Sequence, residues 1–167
     1  YVGPGRRVTL TERLRNVEIQ DGALANTDAT TVDGAPIPST KSVFPTITGM
    51  GGATVWGHKL AFLDDTRDDT LTPTVGSYFT MFAELAQSLS ADTNTVFSRY
   101  GFDYRILLPT ATKQYTFVFR AKLDATVGGD EVPFFERSSL GGQTTLRGYC
   151  VGRFVDNQAL VFIAYER

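Results

Sequence analysis

Residues 114–127 read Gln-Tyr-Thr-Phe-Val-Phe-Arg-Ala-Lys-Leu-Asp-Ala-Thr-Val, and this stretch decides the fold class. Its odd positions are apolar throughout, whereas its even positions include Arg120, Lys122 and Asp124. Successive side chains of a β-strand point to opposite faces, and an α-helix cannot use a period of two. The stretch therefore predicts one long strand with an apolar face and a charged face.

The same alternation occurs in residues 77–85 and 96–108. In the second of these, the even positions are mostly aromatic or aliphatic, and the odd positions include Arg99, Asp103 and Arg105. Strands of soluble proteins usually have about 5–6 residues, and a membrane-spanning strand needs about 9–11. Long strands with one apolar and one charged face are typical of a transmembrane β-barrel with a watery interior. The alternative is a large soluble antiparallel sheet with one solvated face.

The remaining segments fit an all-β chain of about six to eight antiparallel strands. Residues 6–20 and 54–63 are predicted strands, residues 44–52 hold a possible short strand, and a last strand includes residues 159–165. Residues 21–39 and 64–74 are rich in Asp, Gly, Pro and Thr, which predicts loops. We therefore predict an antiparallel transmembrane β-barrel.

Composition narrows the possible functions. The 167 residues suit one domain, and a net charge of -2 gives no general attraction to nucleic acid. Cys150 is the only cysteine, so the chain has no internal disulfide. The longest apolar run, residues 159–165, is too short for a membrane-spanning helix.

A long polar segment separates the last two strands. Residues 140–149 read Leu-Gly-Gly-Gln-Thr-Thr-Leu-Arg-Gly-Tyr, with glycines that permit sharp turns on both sides of Arg147. With its flanks the loop runs from about 128 to 152, and loops of this length are usually functional. The loop could fold back and present one guanidinium at a fixed point. The alternative is an exposed glycine-rich loop whose arginine is solvated.

These residues resemble the BamA/TamA/two-partner-secretion superfamily of outer-membrane barrels, of the bacterial surface-antigen type, in its C-terminal barrel region. The characteristic loop is Leu140-Gly141-Gly142 followed by Leu146-Arg147-Gly148-Tyr149. Four further motifs occur in the family's order: Asp65-Thr66-Arg67-Asp68 with Pro73 and Gly76, Val132-Pro133-Phe134-Phe135, Arg153-Phe154-Val155-Asp156, and Tyr165-Glu166-Arg167. The resemblance covers roughly residues 51–167.

The resemblance implies a function and a role for the loop. In that family the loop folds back into the barrel, and its arginine pairs with acidic residues of the wall. Carried over by position, this makes Arg147 the inserted cation and Glu166 its wall partner. The implied activity is passive insertion or secretion of client polypeptides in the outer membrane of a Gram-negative bacterium. The implied partners are outer-membrane lipid, client polypeptides, and periplasmic domains or accessory proteins.

The chain also departs from the family pattern. The family's periplasmic repeat domains are not in this sequence, and its Asp-x-Gly wall strand would lie beyond Arg167. A barrel of about sixteen strands, usual in this family, needs about twice this length at roughly 9–11 residues per span. We therefore expect residues 1–167 to be a partial barrel domain of a larger barrel. The alternative is a reduced relative that closes with about eight strands or with a partner copy.

An enzymatic function is not predicted. His58 and the nearby Asp64 or Asp65 could form an acid–base dyad, but the sequence has no Gly-x-Ser-x-Gly motif, phosphate-binding glycine loop or metal-ligand cluster. We predict neither a cofactor nor a metal site. Two other non-enzymatic functions stay open: a structural or lipid-contacting barrel without transport activity, and a porin-like channel.

Overall fold

The computed structural model describes residues 5–20, 31–32, 35–36, 40–90, 94–112 and 114–167. Six long strands form its main sheet: β1 (Gly5–Val17), β4 (Ala53–Asp65), β5 (Gly76–Leu89), β6 (Val96–Pro109), β7 (Thr116–Val127) and β10 (Gln158–Glu166). The shorter elements are β2 (Thr31–Val32), β3 (Ala35–Pro36), helix α1 (Thr40–Val43), β8 (Ser138–Leu140), β9 (Phe154–Asp156), and 3-10 turns at Gly129–Glu131 and Phe134–Glu136. No helix in these ranges is long and apolar enough to cross a membrane.

The main sheet has the order β1-β4-β5-β6-β7-β10, and every neighbouring pair is antiparallel. The prediction of an all-β antiparallel fold is therefore confirmed. Over the described ranges the sheet does not close, because β1 and β10 remain its two edges.

The period-two patterns located the long strands correctly. The predicted strands at 77–85, 96–108 and 114–127 correspond to β5, β6 and β7. The short strand suggested within residues 44–52 is wrong, because this segment forms consecutive turns in which Met50 N donates to Ile47 O and Gly52 N donates to Gly49 O. Gly49 has a φ of 96°, which a strand does not use. Most of the predicted loop at 21–39 lies outside the described residues, and its described part contains β2 and β3.

The sheet has an inner face, which the long loop covers, and an outer face. The inner face carries the odd positions of β1, β4, β6 and β10 and the even positions of β5 and β7. The outer face exposes more than half of several large apolar side chains: Leu10, Leu14, Leu60, Leu85, Leu160 and Phe162. Apolar patches of this extent mark a surface that contacts lipid or another protein. The predicted separation into an apolar and a charged face is thus present in β5, β6 and β7.

The connections differ between the two ends of the sheet. At one end, which we call the long-loop end, β1, β5 and β7 finish and β4, β6 and β10 begin. At the opposite, short-turn end, residues 66–75 connect β4 to β5, and β6 finishes where β7 begins. We call residues 128–157 the long loop.

The small apolar core lies between the inner face and the long loop. Val55, Ala86 and Phe97 of three adjacent strands pack with Val132 of the loop, all at most 2% exposed, and Phe135 packs against this group. Gly128 lets the chain leave β7 directly over this core, since a Cβ there would lie 2.5 Å from the Phe97 Cβ. The sheet and the loop therefore share one core.

The structure of the turn at 66–75 explains why most residues of the motif Asp65-Thr66-Arg67-Asp68 with Pro73 and Gly76 occur there. Asp65 binds the Arg67 guanidinium through two hydrogen bonds, of 2.8 and 2.7 Å. Asp68 accepts the backbone N–H of Thr74 at 2.8 Å, and Pro73, which has no N–H to donate, precedes it. Gly76 has a φ of 109°, and a Cβ there would lie 2.4 Å from the Thr66 carbonyl oxygen, so the turn needs glycine at this position.

We expect the Asp68 turn to resist acid to a pH well below the ordinary range of a carboxyl. The Thr74 hydroxyl and the N–H groups of Thr74 and Val75 donate to the carboxylate and lower its pKa to about 2. Because the folded pKa is depressed, this stabilisation is present above the unfolded value of about 3.9 and is lost as the pH falls through about 2. Amide exchange should show Thr74 and Val75 protected at pH 4 and progressively less protected below it.

Asp68→Asn tests this assignment. It should remove most of the protection of Thr74 and Val75 at neutral pH, whereas Asp130→Asn, at the other end of the sheet, should not change it. Unchanged protection in Asp68→Asn would show that the carboxylate does not hold the turn.

Candidate functional site

The long loop folds back over the inner face and contains two short paired strands, β8 and β9. Within it β8 and β9 are antiparallel, with Ser138 opposite Asp156 and Leu140 opposite Phe154. Its base is fixed to β7, because Thr126 N donates to Asn157 O at 2.7 Å and Thr126 Oγ1 donates to Glu136 O at 3.2 Å. The 3-10 turn Phe134–Glu136 then directs the Glu136 side chain toward the sheet.

Glu136 forms a bidentate ion pair with Arg13 of β1. Arg13 Nη1 donates to Oε1 at 3.0 Å, and Nη2 donates to Oε2 at 2.8 Å. The Glu136 side chain is 0% exposed. Parallel N–H···O bonds between a guanidinium and a carboxylate fix direction as well as supplying energy. The contact therefore joins the long loop to the far edge of the sheet.

Two more arginines surround the same carboxylate. Arg15 of β1 lies 3.4 Å from Glu136 Oε1, and Arg99 of β6 lies 3.5 Å from Oε2. Glu84 of β5, whose side chain is 3% exposed, lies 2.8 Å from Arg13 and 3.4 Å from Arg99. We call Arg13, Arg15, Glu84, Arg99 and Glu136 the charge cluster. Because each buried carboxylate has at least two arginine neighbours, the desolvation of both anions is compensated.

A glycine of β4 makes the cluster possible. Gly57 stands opposite Arg13 on one side and Ala86 on the other. A Cβ at Gly57 would lie 2.8 Å from Glu84 Oε1. The missing side chain lets Arg13 of β1 reach Glu84 of β5 across the intervening strand.

A second contact holds the loop nearer its tip. Arg120 of β7 donates to both carboxylate oxygens of Asp103, at 2.9 and 2.6 Å, and its Nη1 donates to the Thr144 carbonyl at 2.5 Å. Arg105 binds the same Asp103 carboxylate. The inner face thus supplies cations to the loop in two places.

The glycines of the characteristic loop form its neck. Gly141 has a φ of 132°, and a Cβ there would contact the Cys150 carbonyl oxygen. Gly142, with a φ of 80°, donates its N–H to Tyr149 O at 2.9 Å, and Thr145 Oγ1 accepts from Gly141 N at 2.9 Å. These bonds close the loop into a compact turn, and the glycines permit it because neither backbone conformation suits a side chain.

The structure does not bring Arg147 and Glu166 together. Arg147 is exposed, as are Gly148 and Tyr149, and across the described ranges its side chain forms no hydrogen bond or ion pair. Glu166 stands opposite Phe117, and this register places its side chain on the outer face, away from the loop. The pairing therefore stays a prediction, and in this conformation the inserted charge is the Glu136 carboxylate.

Sequence reasoning missed Glu136 and its three arginine partners. One usable signal was the acid at the end of the apolar run Val132-Pro133-Phe134-Phe135. Another was the parity of Arg13, Arg15 and Arg99, which places them on the charged face of their strands. Neither signal gives the distance between β1 and the loop, so the site needed the tertiary structure.

The other candidate residues lie apart from the cluster. His58 contacts Glu12 at 3.4 Å on the outer face, and Asp64 lies six residues along β4, roughly 20 Å away at the usual rise per residue. The suggested acid–base dyad is therefore not formed. Within the described ranges, no group of three His, Cys, Asp or Glu side chains could hold a metal ion.

The part of the sequence that forms most of these elements matches a known protein family. Residues 14–160 match the family model of the Omp85 superfamily domain. The matched range includes β4 to β7, the long loop and the last four residues of β1. No curated protein matches the chain significantly.

Proposed function

The chain belongs to the Omp85 superfamily, whose members insert or secrete proteins at the outer membrane, and from this premise we propose that it handles client polypeptides passively while its long loop is held on the inner wall. The observation that carries this proposal is the fully buried Glu136 carboxylate, bound to arginines of β1 and β6. A loop held this way fixes the shape of the interior without making or breaking a covalent bond.

The environment we propose is the outer membrane of a Gram-negative bacterium. The apolar outer face suits lipid, and lipid cannot hydrogen-bond the free edges of β1 and β10. We therefore propose that residues 1–167 form part of a larger barrel, whose further strands pair with both edges. Long loops of such barrels lie outside the cell and short turns in the periplasm, so the long-loop end would be extracellular. Periplasmic domains or accessory proteins would deliver the client at the opposite end.

The charge cluster suits a loop that is fixed yet able to open. Ionic contacts, unlike a covalent link, can be exchanged for contacts with water when the interior is hydrated. The three arginines come from the first and fourth strands of the sheet, so the closed loop also ties these strands together. We propose that this closed state keeps the wall in the shape that receives the client.

Glu136→Gln is the direct test of this function. The amide keeps the shape of the side chain but loses the charge-assisted hydrogen bonds, so the closed loop should become roughly tenfold less favourable. The measurement is the rate at which the full-length protein, reconstituted in lipid vesicles, converts an unfolded small outer-membrane barrel into a protease-resistant form. We expect that rate to fall several-fold.

Glu131→Gln is the matched control, since Glu131 is an exposed acid of the same loop, and it should retain the full rate. Arg147→Ala belongs in the same assay, because the resemblance assigns the anchoring role to that residue. Full client assembly in both Glu136→Gln and Arg147→Ala would exclude a role for the fixed loop in client handling. Failure of the unaltered protein to assemble the client would favour a structural barrel. Steady open conductance in a planar bilayer, without client assembly, would favour a porin-like channel.

A further inference from the structure

A cavity of about 550 Å³ lies at the long-loop end, between residues 44–50 and the long loop. Its walls are largely apolar and include Phe44, Ile47, Met50, Phe134 and Val155. This volume lies within the range of small-molecule sites. No residue of the charge cluster lines this cavity, and neither do Asp103, Arg105 and Arg120.

The cavity also has two arginines at its surface, Arg137 and Arg153. The Arg137 guanidinium donates to two backbone carbonyls, Val132 O at 3.3 Å and Asp130 O at 3.1 Å, which orient it without neutralising its charge. The Arg153 side chain is exposed. Among the described residues no carboxylate, including that of Asp130, forms an ion pair with either guanidinium. Two oriented or accessible cations therefore stand beside an apolar cavity.

Backbone contacts between the two segments build the walls of this cavity. Phe134 N donates to Thr48 O at 3.0 Å, and Thr48 Oγ1 donates to Asp130 O at 2.8 Å. Gly49 fits closely against Pro133, because a Cβ at Gly49 would lie 2.9 Å from the Pro133 Cβ. The site is therefore formed before any ligand enters, and binding would not have to order these segments.

We propose that this cavity binds an amphiphilic anion, an alkyl chain that carries a phosphate group. The chain would displace water from the apolar walls, and the phosphate would accept hydrogen bonds from the Arg153 and Arg137 guanidiniums, whose planar donor arrangement suits phosphate oxygens. A bare anion would leave the apolar walls wet, and an uncharged amphiphile would leave both cations unpaired. This ligand site is separate from client handling and does not depend on it.

The experiment uses the full-length protein in nanodiscs of zwitterionic lipid, with octyl phosphate as the probe. Local hydrogen exchange reads the site directly, because partition of the probe into the bilayer does not protect particular amides. We expect octyl phosphate to slow exchange at residues 44–50 and 152–155 in a saturable manner. Inorganic phosphate and octyl glucoside should protect these amides at least tenfold less effectively.

Variants assign the two halves of the site. Arg153→Gln should raise the half-saturating concentration roughly tenfold by removing a charged donor, and Thr46→Trp should block the cavity. Arg6→Gln, which changes an exposed arginine of β1 outside the cavity, should keep the wild-type affinity. Equal protection by octyl glucoside or by inorganic phosphate, or unchanged affinity in Arg153→Gln, would overturn the proposal.

A further arm identifies the source of the ligand. In nanodiscs that contain phosphatidic acid, protection of the same residues without octyl phosphate would show that the site takes a membrane lipid. Protection by octyl phosphate alone would show that it takes a free amphiphile. Both results support the site itself.

Discussion

Arg13→Met is expected to lower the free energy of unfolding by about 3 kcal/mol. Arg13 forms the bidentate contact with Glu136 and also binds Glu84, and both carboxylates are at most 3% exposed. Methionine preserves apolar volume but leaves two buried anions with fewer cations. Breaking a buried pair typically costs about 3–5 kcal/mol, and the lower value applies because Arg15 and Arg99 remain.

Chemical unfolding in detergent micelles, followed by the fluorescence of the single tryptophan Trp56, measures this loss. Arg6→Met is the matched control on the same strand, since the Arg6 side chain is 78% exposed and its pair with Asp64 should contribute at most about 1 kcal/mol. Adding Glu136→Gln to Arg13→Met should restore part of the stability, because it removes one buried anion that has lost its bidentate partner. If Arg13→Met destabilises no more than Arg6→Met, the cluster does not stabilise the fold.

Phe97→Ala is the second large effect, with an expected loss of about 3–5 kcal/mol. Phe97 is 1% exposed and lies at the centre of the core that the sheet shares with the long loop. Its removal takes away the surface on which Val132 and Phe135 rest, so the cost includes both lost burial and a cavity. The loop segment should loosen together with the sheet.

Two readouts separate these consequences. The unfolding midpoint reports the global loss, and hydrogen exchange at residues 132–136 reports the loop. Phe97→Leu fills most of the volume and should cost less than about 1.5 kcal/mol, with near-normal protection of the loop. Wild-type exchange at 132–136 in Phe97→Ala would mean that the loop is held by its ionic contacts alone.

The strands could be predicted because their information is local. In β6 and β7 each residue reports its own face through its polarity, and the ends are set by Pro109 and Gly128. Tertiary contacts overrode the local pattern at residues 44–52, where the long loop packs against consecutive turns. The sequence pattern of a single strand does not specify which strands pair with its two edges. The pattern therefore could not predict that β1 and β10 form the edges of an open sheet.

The candidate site was predicted in part. The loop and its glycines carry a backbone signature, visible in the sequence at Gly141 and Gly142 because a side chain would clash there. The charge that anchors the loop has no such signature, since it depends on which residues of β1 and β6 end up beneath the 3-10 turn. Arg13 and Glu136 are 123 positions apart, and a salt bridge between residues so distant in sequence cannot be predicted before the fold is known.

That same separation also constrains the order of assembly. β4 to β7 pair as successive hairpins, each formed from segments adjacent in sequence, whereas the contact between Arg13 and Glu136 joins residues 123 positions apart in a chain of 167. Closure entropy grows with the length of chain enclosed, so this contact gains most once the intervening strands have already aligned the two residues. The loop would then dock last, and it would dock fully only when the strands from β1 to β7 are paired in the correct register. A strand that slips by two residues would move an arginine away from Glu136, and the closed loop thereby discriminates against misfolded walls.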